Sequence, residues 1–188
     1  MRVFILLLLF SHFLLTDIFA QSMKIDSLQK VLQQKNLNDT NRVNTMILIS
    51  WDYFIQSEFK LCEDWAKKAM ILSTKVKFIR GEGRGEFLLA RAIKEQGNYQ
   101  LSLKHHLNAL KTRKKFTNKR SAADSYNSIG DVYNNLGDYD KALNYFILSL
   151  KIFEEINDPM GLAWSYCNIG VVLSNQNDME GAIENYDK

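Results

Sequence analysis

Ser125-Tyr126-Asn127-Ser128-Ile129-Gly130-Asp131-Val132-Tyr133 and Ser165-Tyr166-Cys167-Asn168-Ile169-Gly170-Val171-Val172-Leu173 lie forty residues apart and share Ser, Tyr, Ile, Gly and Val in the same order. The correspondence runs on through Gly137–Leu143 and Asn177–Ile183. Forty residues earlier stand Leu89-Ala90, Ile93, Gly97-Asn98-Tyr99 and Leu107–Lys111. Eighty residues earlier stand Ile49-Ser50, Tyr53, Ser57-Glu58-Phe59, Cys62 and Ala69. Four registers align without an insertion, and self-similarity at a fixed period marks a chain built from stacked copies of one supersecondary unit.

Each unit reads as two helices. Tyr126, Ile129, Gly130 and Tyr133 follow the i, i+3, i+4, i+7 spacing of one helix face. Gly137 supplies a left-handed residue that ends the first helix. Tyr139 then opens a second helix through Ala142, Leu143, Phe146, Leu150 and Phe153. Asp158-Pro159 is a cap followed by a proline suited to the first helical position. The pattern predicts helices at 40–56, 58–76, 80–96, 99–115, 119–136, 139–155, 159–176 and 179–188. A further helix near 23–35 (Ile25, Leu28, Val31, Leu32) is expected to cap the first repeat over Ile47, Trp51 and Phe54.

These residues resemble the tetratricopeptide repeat family. The third copy carries the resemblance best, with Ile129, Gly130, Tyr133, Gly137, Tyr139, Ala142, Phe146 and Ser149 at the motif positions. In the fourth, Gly170 and Ala182 take the small positions. In the first two, Ser50 and Ala90 replace the first-helix glycine, and His106 stands where an aromatic is usual. The period exceeds the family's usual ~34 residues, which predicts longer helices or longer links. The resemblance implies an all-α fold, a right-handed α-solenoid of antiparallel helix pairs, with repeats at about 43–80, 83–118, 123–158 and 163–188. Gly130, Tyr133, Gly137, Ala142, Gly170 and Ala182 are its expected packing residues.

Composition agrees with a folded helical chain. Of 188 residues, 46% are apolar and 24% charged, and one proline and nine glycines exclude collagen-like or low-complexity sequence. A net charge of +3 is too small a bias to point to nucleic acid. The start differs from the rest. Arg2 precedes Val3–Phe10, an apolar stretch too short to span a bilayer, and Ala20 closes it. Residues 1–20 therefore read as a signal peptide cut before Gln21, leaving a capping helix and link at 21–39. The chain is expected to be exported, periplasmic or extracellular, with an uncleaved leader as membrane anchor the alternative. Membrane contact is expected only through this leader or a segment downstream. The repeats run to Lys188 with no polar closing helix, which reads as a piece of a longer protein. An export-type leader ahead of such repeats is also similar to the extracytoplasmic half of some bacterial signalling proteins, whose output domain would follow. Cys62 and Cys167 lie too many helices apart to bridge and are expected to be buried free thiols.

No residue pattern supports catalysis. Gly81-Glu82-Gly83-Arg84-Gly85 is not preceded by a strand, as a phosphate loop would be. Its glycines align with Ser121, Ala123 and Ser125, and with Gly161, Ala163 and Ser165, so close helix contact explains them. His105 and His106 are adjacent, cannot share a helix face, and have no further ligands nearby for zinc. One is expected to face solvent and the other to pack. Lys111, Arg113, Lys114, Lys115, Lys119 and Arg120 read as a solvated helix end that offsets the helix dipole, with an acidic partner the lesser alternative. No enzyme activity, cofactor or metal is expected.

The resemblance also implies where a partner sits: a concave groove lined by first helices. Carried over by register, its positions are Asn44, Ile47, Trp51, Phe54 and Ile55 in the first copy. They are Arg84, Phe87, Arg91, Lys94 and Glu95 in the second, and Asp124, Asn127, Asp131, Asn134 and Asn135 in the third. The fourth offers Trp164, Cys167, Val171, Ser174 and Asn175. Arg84, Arg91, Lys94, Asn127, Asp131, Asn134, Asn135 and Asn175 are the expected contacts to a protein or peptide. Asparagine amides both donate and accept, as an extended backbone requires. Ile47 and Trp51 stand where the family's carboxylate clamp has lysine and asparagine, which speaks against chaperone-tail recognition.

Overall fold

The computed structural model describes residues 24–115 and 118–188; the expected leader lies outside them. Helix α1 covers 24–32. It is followed by α2 (Asp39–Ile55), α3 (Phe59–Lys75), α4 (Ile79–Glu95), α5 (Tyr99–Arg113), α6 (Lys119–Asn135), α7 (Tyr139–Glu155), α8 (Pro159–Asn175) and α9 (Met179–Tyr186). The described residues contain no strand, and no helix among them is long and apolar enough to cross a membrane. The long period resides in the helices. Six of them have 17 residues, while links such as Gly137's run only from Leu136 to Asp138.

The links share one geometry. A left-handed residue recurs every twenty residues among those described, at Ser57, Lys77, Gly97, Gly137, Asn157 and Asn177, the one missing step falling outside the described residues. Gly137 has φ 77° and its N–H donates to Asn134 O, while Asp138 N–H reaches back to Tyr133 O. That pair of bonds is a Schellman stop. The residue that completes it also begins the next helix: Asp138 accepts from Lys141 N–H, as Asp158 does from Gly161 N–H and Asn98 from Leu101 N–H. One short link thus satisfies both the last carbonyls of one helix and the first amides of the next.

Core packing follows a volume rule between paired helices. A Cβ on Gly130 would fall 2.7 Å from the ring of Phe146, and one on Gly170 would fall 2.5 Å from Tyr186. The corresponding pair in the second repeat is Ala90 with His106, and in the first Ser50 with Ala66, all fully buried. A larger first-helix residue faces a smaller second-helix residue, so Ala90 and His106 are one compensated change rather than two departures. The Gly81, Gly83 and Gly85 run is close contact as expected: added Cβ atoms there would meet Val43, Thr112 and Met70. Ala142 and Ala182 are buried, and Tyr133 stacks on Tyr145 at 5.5 Å.

Among α2–α9, each helix packs on the next, and α2, α4, α6 and α8 also touch one another in succession, whereas α3, α5, α7 and α9 do not. The first helices therefore form the inner wall of a curved solenoid and the second helices the outer. Two expectations need correction. The N-terminal helix stops at 32 and holds α2 through Lys24–Asp52 and through Arg42 Nη1, which donates to Leu32 O. It does not cover Trp51, which stays 37% exposed, while Ile47 is buried against α4. Cys62 is buried, but Cys167 is exposed: the equivalent Asn127 is covered by the next first helix, α8, and among the described residues no further first helix packs on α8.

Candidate functional site

The inner wall carries a hollow of about 470 Å³. Trp51 of α2 and Trp164 of α8 stand at its two sides. Phe87, Arg91 and Lys94 of α4, and Asp124, Asn127, Ser128 and Asp131 of α6, line it between them, with His106 reaching in from α5. A smaller hollow of about 310 Å³ adjoins it, sharing Trp51 and Phe87 and adding Arg84 and Arg113. Turn spacing explains the alignment: Phe87, Arg91 and Lys94 recur at i, i+4, i+7 and so share one helix face.

Charges in the hollow divide into paired and unpaired. Lys94 bonds Asp131, and Arg120 bonds Asp158. The Arg91 guanidinium instead lies 4.2 Å from the Phe54 ring centre and 5.0 Å from that of Trp51. Arg113 lies 3.8 Å over Phe87 and donates to Ser121 O and Ser125 Oγ. Burial pulls the Arg113 guanidinium down to about 10, against the attraction of Asp124. Burial likewise lowers Arg91 and raises Asp124. At about 10, Arg113 stays charged at neutral pH.

Two neutral side chains are left short of partners. His106 is fully buried, edge-on to Phe87 at 5.4 Å, and neither ring nitrogen has a hydrogen bond. Burial first, then Arg113, Lys94 and Arg91, push its pKa down to about 3, so the ring is neutral. Asn127 is 8% exposed; its Oδ1 accepts a long 3.4 Å bond from Ser165, and its Nδ2 donates to nothing. The register makes this unusual, because the same position is Ile47, Phe87 and Cys167 in the other repeats. A buried amide donor left unmade costs about 1–3 kcal/mol.

Of the expected contacts, Arg91, Lys94, Asn127 and Asp131 come together in the hollow. Arg84 sits in the adjoining one, bonded to Asn44 Oδ1 at 3.0 Å. Asn134 and Asn175 lie outside the hollow and bond each other at 3.0 Å. Asn135 turns back on its own helix to Asp131 O. The basic cluster also divides: Lys111, Lys114, Lys115, Lys119 and Arg120 are exposed as expected, but Arg113 folds inward onto Phe87. His105 is not left to solvent; its Nδ1 lies 3.0 Å from Glu86. Sequence reasoning missed Arg113 and His106 because both come from a second helix. The one available signal was that His106 and Ala90 depart from the repeat motif in the same copy.

A family model, the tetratricopeptide repeat, matches residues 86–155 and 121–188. The chain belongs to the tetratricopeptide repeat family. Solved structures agree. A Rap protein complexed with Competence and Sporulation Factor aligns at TM-score 0.79 and 20% identity over 90% of this chain and 48% of that one. The Rap conjugation regulator of plasmid pLS20, in complex with the Phr* peptide, aligns at 0.78 and 17% over 89% and 46%. MamA aligns at 0.60 and 20% over 87% and 82%. The tetratricopeptide chain spans about half the length of these Rap proteins, and at such identities the likeness is one of fold. No curated protein matches it in sequence.

Proposed function

We propose that this tetratricopeptide solenoid is a non-catalytic scaffold that holds an extended peptide segment against its inner wall, with Asn127 bonding the peptide backbone. The observation that carries this is the unmade Asn127 donor, in a register column that is otherwise apolar or thiol. A peptide carbonyl satisfies it. Rap proteins of the same fold are complexed with Competence and Sporulation Factor and with the Phr* peptide, which supports the reading. The test is binding of a peptide selected against the chain. Asn127→Ala combined with Asn134→Ala lowers its affinity tenfold or more, and unchanged affinity removes the groove assignment.

The apolar stretch at Val3–Phe10 supports export, checked by N-terminal sequencing of the secreted protein, which should begin at Gln21. One observation favours a piece of a longer protein, such as the sensor half of a bacterial signalling protein. Met179, Ile183 and Tyr186 are 49–60% exposed, although their counterparts Tyr139, Leu143 and Phe146 pack inside a core cluster. A further helix pair would cover them. Coding sequence beyond Lys188 that lacks both further repeats and an output domain would exclude this.

A further inference from the structure

Resting on the peptide-binding reading, we infer that the inner wall selects peptides carrying Asp or Glu side chains, which bind to Arg84, Arg91 and Arg113. None of these three arginines lies within ion-pair distance of a carboxylate among the described residues. Their setting is not that of solvated surface lysines. Each is half-buried, and Arg91 and Arg113 rest on aromatic rings. Stacking occupies the flat faces of a guanidinium and leaves its edge N–H groups free for bidentate bonding to a carboxylate. The Arg91 guanidinium makes no hydrogen bond to another described residue, so its donors are uncommitted. Nearby acids do not neutralise the group. Asp131 and Glu95, the acid that attracts Arg91 most, are both held by Lys94, and Asp158 by Arg120. Among the described residues this leaves Asp124 as the acid of the hollow without an ion pair.

Burial first lowers the pKa of Arg113, and the charges of Arg84 and Arg91 lower it further against the attraction of Asp124, so an incoming carboxylate offsets like charge at Arg113 as well as pairing. The two adjoining hollows share Trp51 and Phe87, which lets one extended segment reach all three. Peptide is favoured over nucleic acid because a peptide can place isolated carboxylates at the arginines and a neutral stretch past the unpaired Asp124 of the same hollow, whereas a phosphate at every residue of a nucleic acid would be repelled there.

A random dodecapeptide library, fused through its C-terminus so that no free α-carboxylate is present, is selected against the full chain. Selected peptides should carry about twice the library's content of Asp and Glu. They should bind at least tenfold more weakly to Arg91→Gln and to Arg113→Gln, and as weakly when their own acids become amides. Arg91→Lys should recover only part of the loss, since lysine keeps the charge without the fork. Helix content of each variant, read by circular dichroism, separates lost binding from lost fold. Neutral peptides that are lost with Asn127→Ala but indifferent to Arg91→Gln would overturn the acidic preference and leave the groove standing. Peptides indifferent to Asn127→Ala, or no binder at all, would overturn both. A twelve-nucleotide oligothymidylate binding as tightly, and lost with Arg91→Gln, would assign the arginines to nucleic acid and overturn the inference.

Discussion

Exchanging one repeat's core pair for another's tests the volume rule directly. Gly130→Ala places a methyl 2.7 Å from Phe146 Cε1, 2.8 Å from Cδ1 and 3.0 Å from Cζ, against a ring only 1% exposed. Overfilling a packed core costs about 1–3 kcal/mol, and replacing a helical glycine by alanine returns about 1 kcal/mol. The single change should therefore cost up to about 2 kcal/mol. Phe146→His alone should cost up to about 3 kcal/mol, through lost packing and two unpaired ring nitrogens. The double variant recreates the Ala90–His106 pair of the second repeat. Its loss should fall short of the summed single losses by about 1–2 kcal/mol, within the range for residues in contact. Urea titration measures this, with thermal midpoints moving about 2–4 °C per kcal/mol at this chain length. Single losses that add to within about 0.5 kcal/mol would refute the compensation and return Ala90 and His106 to unrelated accidents.

Two further outcomes follow from the same hollow. His106 has a folded pKa of about 3 against about 6.5 unfolded. The unfolded chain takes up the extra proton, so the neutral ring's contribution is present above pH 6.5 and is lost as pH falls towards 3. Compared with Ala90→Gly/His106→Phe, the natural chain should lose about 1.4 kcal/mol more per pH unit below about pH 6; equal slopes would contradict the burial of an uncharged imidazole. Asn127→Leu with Ser165→Ala removes both partners of a poor buried bond. It should stabilise the empty protein by about 1–3 kcal/mol while weakening peptide binding at least tenfold. A destabilised double variant, read by urea titration, would show that Asn127 is structural.

The architecture was legible because a solenoid writes its contacts locally. The forty-residue spacing, Gly137 and the Asp158-Pro159 junction each specify a helix, a stop or a start with no long-range information. The recurring left-handed residue was harder to see, since Ser57 and Lys77 occupy it without the glycine that marks Gly137 and Gly97. The site was half legible. Arg91, Lys94, Asn127 and Asp131 follow from first-helix register alone. Arg113 and His106 do not, because reaching the inner wall from α5 depends on how α4, α5 and α6 pack. Asn134, Asn135 and Asn175 satisfied the same register rule, yet their amides are spent on one another or on their own helix. Nothing in residue type distinguishes a spent amide from the free one on Asn127.

Three tryptophans make the central claim directly measurable. Trp51 and Trp164 line the hollow, whereas Trp65 lies on α3 beneath Lys68. In a ¹⁵N-labelled sample titrated with a selected acidic peptide, the indole N–H signals of Trp51 and Trp164 should move together and saturate, with Trp65 unmoved. Movement of Trp65 alone, or saturating binding that shifts neither Trp51 nor Trp164, would place the partner elsewhere and contradict an inner-wall site.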